Sequence, residues 1–127
     1  MSTPFLVKDI LPGFYGSSPS YLTAVGNTLF FWANDGVNGY GLWKSDGTTA
    51  GTVLVADISF GDSFPGNLTA VGNTLYFQAY DGVNGGELWK SDGTAAGTVL
   101  VKDIRPGLST SYPVSLTAVG NTLFFAA

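Results

Sequence analysis

The segment Leu22-Thr23-Ala24-Val25-Gly26-Asn27-Thr28-Leu29 returns unchanged as Leu68 to Leu75 and again as Leu116 to Leu123, 46 and 48 residues further on. A fixed period of this length marks a repeat architecture. Each copy reads as two short strands around a tight turn, because Gly26 accepts φ > 0 between two β-prone flanks. Leu-Trp-Lys-Ser-Asp-Gly-Thr begins at Leu42 and Leu88, and Leu-Val-x-Asp-Ile begins at Leu6, Leu54 and Leu100. The copies differ in length at one place: Leu68 follows Ile58 by 10 positions, whereas Leu22 follows Ile10, and Leu116 follows Ile104, by 12. Leu22 to Ile58 aligned on Leu68 to Ile104 gives 37 pairs, of which seven differ, so the copies arose by recent duplication or by design.

Four β-type runs fit in each unit. In the first they are Tyr21 to Val25, Thr28 to Ala33, Tyr40 to Ser45 and Thr52 to Ile58. The second run carries Leu29, Phe30, Phe31 and Trp32 in succession, which predicts cover on both faces. Turn-rich segments, Asp35 to Gly39 and Asp46 to Gly51, separate the later runs. A four-stranded antiparallel meander at this spacing predicts an all-β chain of β-propeller blades that stack around an axis. A solenoid needs shorter rungs, and a sandwich needs no identical copies. The expected organisation is a fourth strand and linker at 5–20, one blade at 21–66, a second at 67–114, and the first two strands of a shared blade at 115–127.

Composition agrees with this reading and narrows the function. The chain has 127 residues, 45 % of them hydrophobic, with 18 glycines and six prolines, as expected for many short strands broken by turns. Nine acidic against five basic residues give a net charge of −4, the wrong sign for a nucleic-acid partner, and the basic residues form no run that would hold a membrane surface. No apolar run approaches the roughly 20 residues of a membrane-spanning helix. Met1-Ser2-Thr3-Pro4 leads into repeat sequence without the regions of a signal peptide, so no compartment is assigned.

Glu87-Leu88-Trp89-Lys90-Ser91-Asp92-Gly93-Thr94, followed by Ala95 to Ile104, resembles the ELWxxDGT repeat family of bacterial multi-repeat proteins, and the resemblance covers nearly the whole chain. It implies a propeller fold and a secreted or surface-associated parent, and it brings no catalytic residues. Gly41 stands where the motif has glutamate, so the acid is not required in every unit.

Opening on a fourth strand, Phe5 to Ile10, and ending inside a second strand, the chain is expected to lack a complete third blade. Chains are therefore expected to join head to tail, strands one and two of one completing a blade with strand four of the next. A dimer of six blades is favoured over a nine-bladed trimer. The alternative is a segment of a longer array with aggregation-prone edges.

Histidine and cysteine are absent, which removes the commonest general base, metal ligand and thiol nucleophile. Repeated aspartates such as Asp46, Asp57, Asp92 and Asp103 read as turn residues, and no cofactor is expected. Asp35, Asn38, Asp81 and Asn84 are the calcium-site candidates, in loops whose spacing departs from the EF-hand pattern and also suits a tight turn. Trp43 and Trp89 read as packing residues. Trp32, Asn34 and Tyr40 of the first copy and Gln78 and Tyr80 of the second fall where the copies differ, which marks them as candidates for a ligand surface or a joint between chains. A self-assembling scaffold is the preferred function, with carbohydrate binding as the alternative and an enzyme third.

Overall fold

The computed structural model describes residues 3–37, 39–58 and 66–127. Among them ten strands form three antiparallel sheets and no helix. The first sheet is a meander of β1 (Ser20–Val25), β2 (Thr28–Asn34), β3 (Tyr40–Ser45) and β4 (Val53–Ala56). The second repeats it with β5 (Gly66–Val71), β6 (Thr74–Tyr80), β7 (Gly86–Ser91) and β8 (Val99–Lys102). The third is the hairpin of β9 (Val114–Val119) and β10 (Thr122–Ala126). Each sheet stays open, and none closes on itself among the described residues.

The hairpins follow from their turns. Gly26, Gly72 and Gly120 hold φ near +60°, the first position of a primed turn, and set Val25 opposite Thr28, Val71 opposite Thr74 and Val119 opposite Thr122. Further along, each first strand bulges at one residue: Tyr21, Asn67 and Ser115 are left-handed at φ 55°, 59° and 56°. None is glycine, so each conformation costs of order 1 kcal/mol or more. A threonine two residues on supports each bulge by donating its hydroxyl to the bulged residue's carbonyl, at 3.0 Å from Thr23, 3.3 Å from Thr69 and 3.0 Å from Thr117.

The same bulges tie unit to unit. The first strands run side by side, β1 next to β5 and β5 next to β9. Thr23 Oγ1 also lies 3.4 Å from the Leu68 carbonyl, and Asn67 Nδ2 donates to the Pro113 carbonyl at 3.3 Å. Tyr21 reaches Gly66, where a Cβ would lie 3.6 Å from its ring.

The main core lies between the first two sheets. Phe30, Trp32, Leu42 and Val55 of the first meet Leu75, Phe77 and Ala79 of the second, with the Trp32 and Phe77 rings edge to face at a centroid distance of 5.4 Å. On the opposite face of the first sheet Phe31, Ala33 and Trp43 form a second cluster with Ile10 and Leu54. Four consecutive residues of β2, Phe30 to Ala33, are buried, which accounts for its loss of polar alternation.

One expected element is absent. Phe5 to Ile10 joins no sheet, although it carries the Leu-Val-x-Asp-Ile sequence that makes β4 and β8. Those strands each pair with a third strand, β3 or β7, and residues 5–10 have no such partner for a backbone ladder. The segment instead lies against the first unit, Lys8 Nζ donating to the Thr52 carbonyl at 2.9 Å and Thr49 Oγ1 to the Val7 carbonyl at 2.6 Å.

Candidate functional site

The Ser-Asp-Gly-Thr turn is the most highly organised polar structure in each unit. In the second unit Asp92 Oδ1 accepts from the backbone N–H of Thr94 at 2.9 Å and from its hydroxyl at 2.6 Å. Thr94 Oγ1 accepts from the N–H of Gly97, and Thr98 Oγ1 donates to the Thr94 carbonyl. Because that bond uses the Thr98 proton, Ser91 Oγ donates to Thr98 Oγ1 at 2.8 Å while accepting from the N–H of Gly93. The network recurs in the first unit on Ser45, Asp46, Thr48 and Thr52. Hydrogen bonds from the threonine hydroxyl and amide hold the Asp46 and Asp92 carboxyls below the ordinary carboxylate value. A Cβ on Gly97 would collide with the Asp92 carboxylate, which explains a glycine at that place.

This turn is also a socket for the preceding unit. Lys44 Nζ, on β3, donates to the Gly93 carbonyl at 2.8 Å. Gly93 has φ +92° and lies under the edge of Phe30, whose Cζ would be 3.3 Å from a Cβ there. The Lys-Ser-Asp-Gly-Thr motif thus holds both parts of a joint: the lysine reaches forward and the glycine of the next copy receives it.

Glu87, the glutamate of the motif, is fully buried, and its carboxylate is a tether rather than an open acid. It accepts the backbone N–H groups of Ile104 and Arg105 at 3.2 Å each and the Ser111 hydroxyl at 2.5 Å. Three donors from the segment that leaves β8 therefore converge on one side chain. In the first unit Gly41 takes this place, with Leu54 Cδ1 and the Ala56 carbonyl 2.6 and 3.2 Å from where a Cβ would be.

The loops proposed for calcium use their oxygens internally. Asp81 Oδ1 accepts from the N–H groups of Val83 and Asn84, and Asp81 Oδ2 from Asn84 Nδ2 at 2.6 Å. Burial pulls the Asp81 carboxyl up, but these hydrogen bonds outweigh it and leave the group below its ordinary value. In the first unit Asn34 Oδ1 accepts from Gly36 and Asp35 Oδ1 from Val37, while Asn38 lies outside the described residues. Burial, with a contribution from the Asp35 charge, pushes the Asp57 carboxyl up. Among the described residues no three acidic side chains converge on a point that would hold a metal.

The positions where the copies differ are not alike in burial. Trp32, expected at a ligand surface or a joint between chains, is 1 % exposed inside the joint between the first two units. Its face of β2 meets the next sheet, so the indole is core and offers no stacking platform. Asn34, Tyr40, Gln78 and Tyr80 are half-buried, the first two at the β2–β3 loop and the last two along β6. Trp43 and Trp89 pack in the two clusters as expected.

Two further faces stand out only once the units are compared position by position. On the leading face of the first sheet, the face that carries Leu29 and Phe31 and is turned away from the second sheet, Leu22 is 59 % exposed, whereas its equivalent Leu68 packs against the main core. On the trailing face of the third sheet, equivalent to the Phe30 face with which the first sheet meets the second, Phe124 is 58 % and Val119 59 % exposed, whereas the equivalent Phe30 and Val71 are buried. Next to Leu22 an open groove of about 690 Å³ runs between the first sheet and residues 6–19, lined in large part by Ile10, Leu11, Tyr15, Leu22, Leu29 and Phe31. Comparison of the chain with models of protein families, with curated proteins and with solved structures gave no match.

Proposed function

We propose that this chain is a non-enzymatic scaffold of propeller blades that associates with further copies of itself. The observation that carries the reading is the contrast between equivalent positions: Leu22 and Phe124 are exposed where Leu68 and Phe30 are covered by an adjoining unit. Side-by-side first strands and face-to-face packing of successive meanders support the propeller, since blades bury their faces only against one another. Exposed apolar area of this kind on two faces favours association. The engagement of Asp46, Asp81, Glu87 and Asp92 in hydrogen bonds to their own turns and linkers supports a structural role for the carboxylates.

Three sheets among the described residues of each chain make six in a dimer, inside the range of about four to eight blades in which propellers close. Native mass spectrometry and light scattering across a range of concentrations test the proposal. A two-chain particle is the expected result, and a well-folded monomer at every concentration overturns it.

A further inference from the structure

Resting on that reading, we infer that the joint between copies is heterologous, the trailing face of one chain's third sheet seating in the leading groove of another with Phe124 against Gly47. The argument is continuity with the joint already present between the first and second units. There Phe30 lies on Gly93, and Leu68 packs into the core that the two sheets share. Phe124 occupies the place of Phe30: it is paired with Thr117 as Phe30 is with Thr23, and it faces the same way. Gly47 occupies the place of Gly93, with the same φ of +92°, and the space where Phe30 sits over Gly93 is empty over Gly47.

The two half-sites therefore match in shape and in chemistry. The groove, which reaches Ser45 and Thr52 at the two ends of the turn that carries Gly47, presents mainly aliphatic and aromatic side chains, and the trailing face presents Phe124 and Val119. A contact of this kind is directional, a tail against a head, so each chain carries one of each and a closed ring uses both. Residues 6–10, which join no sheet in the single chain, border the groove.

Two blocked chains provide the test: Phe124→Asp, which spoils the tail, and Leu22→Asp, which spoils the head, with Val83→Asp as a control at an exposed loop residue outside the groove. Sedimentation velocity and native mass spectrometry read the assembly, and circular dichroism confirms that each variant keeps its β-sheet spectrum. Each blocked chain is expected to associate about thirtyfold more weakly or worse, the loss typical of a central aromatic anchor. Val83→Asp is expected to behave as wild type. Mixing the two blocked chains is expected to restore a two-chain complex, because one intact tail then meets one intact head. Wild-type association left unchanged by both substitutions overturns this joint while leaving self-association standing. Loss in both variants without rescue on mixing overturns its head-to-tail character. A wild-type chain that stays monomeric overturns both proposals. If Phe124→Asp unfolds, Val119→Asp on the same face takes its place.

Discussion

Lys44 donates its ammonium to the carbonyl of Gly93 across the joint between the first two units, a 2.8 Å bond spanning 49 residues of sequence. Lys90 is the same residue one copy later, and it is exposed, with no equivalent turn in front of it among the described residues. Lys44→Met keeps the aliphatic stem and removes the donor, leaving the Gly93 carbonyl without its partner. Urea unfolding is expected to show a loss of about 1–2 kcal/mol for Lys44→Met and less than about 0.5 kcal/mol for Lys90→Met. Equal effects from the two substitutions would mean that the bond contributes nothing particular to the joint.

Glu87 makes a second test possible, because its three donors come from a segment that is two residues longer than its counterpart after the first unit. The acid stands before the 12-residue interval from Ile104 to Leu116, and Gly41 before the 10-residue interval from Ile58 to Leu68. Tethering the longer segment is the role this implies. Glu87→Ala strands the N–H groups of Ile104 and Arg105 and the Ser111 hydroxyl and opens a cavity, at a cost of about 2–4 kcal/mol. Glu87→Gln keeps one acceptor and is expected to lose about half as much. Hydrogen exchange at Ile104 and Arg105 should quicken in both, and unchanged protection there would refute the tether.

Much of this fold is written in local sequence, and what is missing from that record has a physical cause. Gly26-Asn27 announces its hairpin because one glycine satisfies the left-handed position, and the run from Tyr40 to Ser45 forms a strand with those bounds. Phe5 to Ile10 has the sequence of β4 yet forms no strand, since pairing depends on a neighbour that propensity does not report. The bulges at Tyr21, Asn67 and Ser115 are equally silent, because nothing in a tyrosine, an asparagine or a serine demands φ > 0. A signal was nonetheless present: the threonine two residues after each of them, which supports the bulge. Trp32 misleads for a related reason. A difference between copies reads as exposure, whereas at this position it reflects that each sheet face meets a different neighbour.

Trp32→Gln places in the first unit the residue that the second unit has at that position. The indole is almost wholly buried and edge-on to Phe77, so the change removes its largest aromatic contact and buries an amide among Leu42, Val55 and Phe77. A loss of about 3–5 kcal/mol is expected in thermal or denaturant unfolding. The reciprocal change, Gln78→Trp, acts on a half-buried position and should cost far less. Comparable losses at the two positions would contradict the placement of the main core.

The turn aspartates give the protein an acid limit whose sign can be worked out. Asp46, Asp81 and Asp92 have folded-state values below the ordinary 3.8, so the folded chain binds protons less readily than the unfolded one. Their contribution is complete above that ordinary value and is lost as pH falls through the depressed folded values. Asp57, raised by burial and by Asp35, acts in the opposite sense: its contribution is present at low pH and fades as pH rises through its folded value. Three lowered groups against one raised group predict a stability plateau near neutrality and a decline below about pH 4. Asp46→Asn with Asp92→Asn keeps an acceptor oxygen for Thr48 and Thr94 but removes the titration. The double variant should therefore lose some stability at pH 7 and show a shallower decline between pH 5 and pH 3, read from urea midpoints. A decline as steep as that of the wild type would place the acid sensitivity somewhere other than these turns.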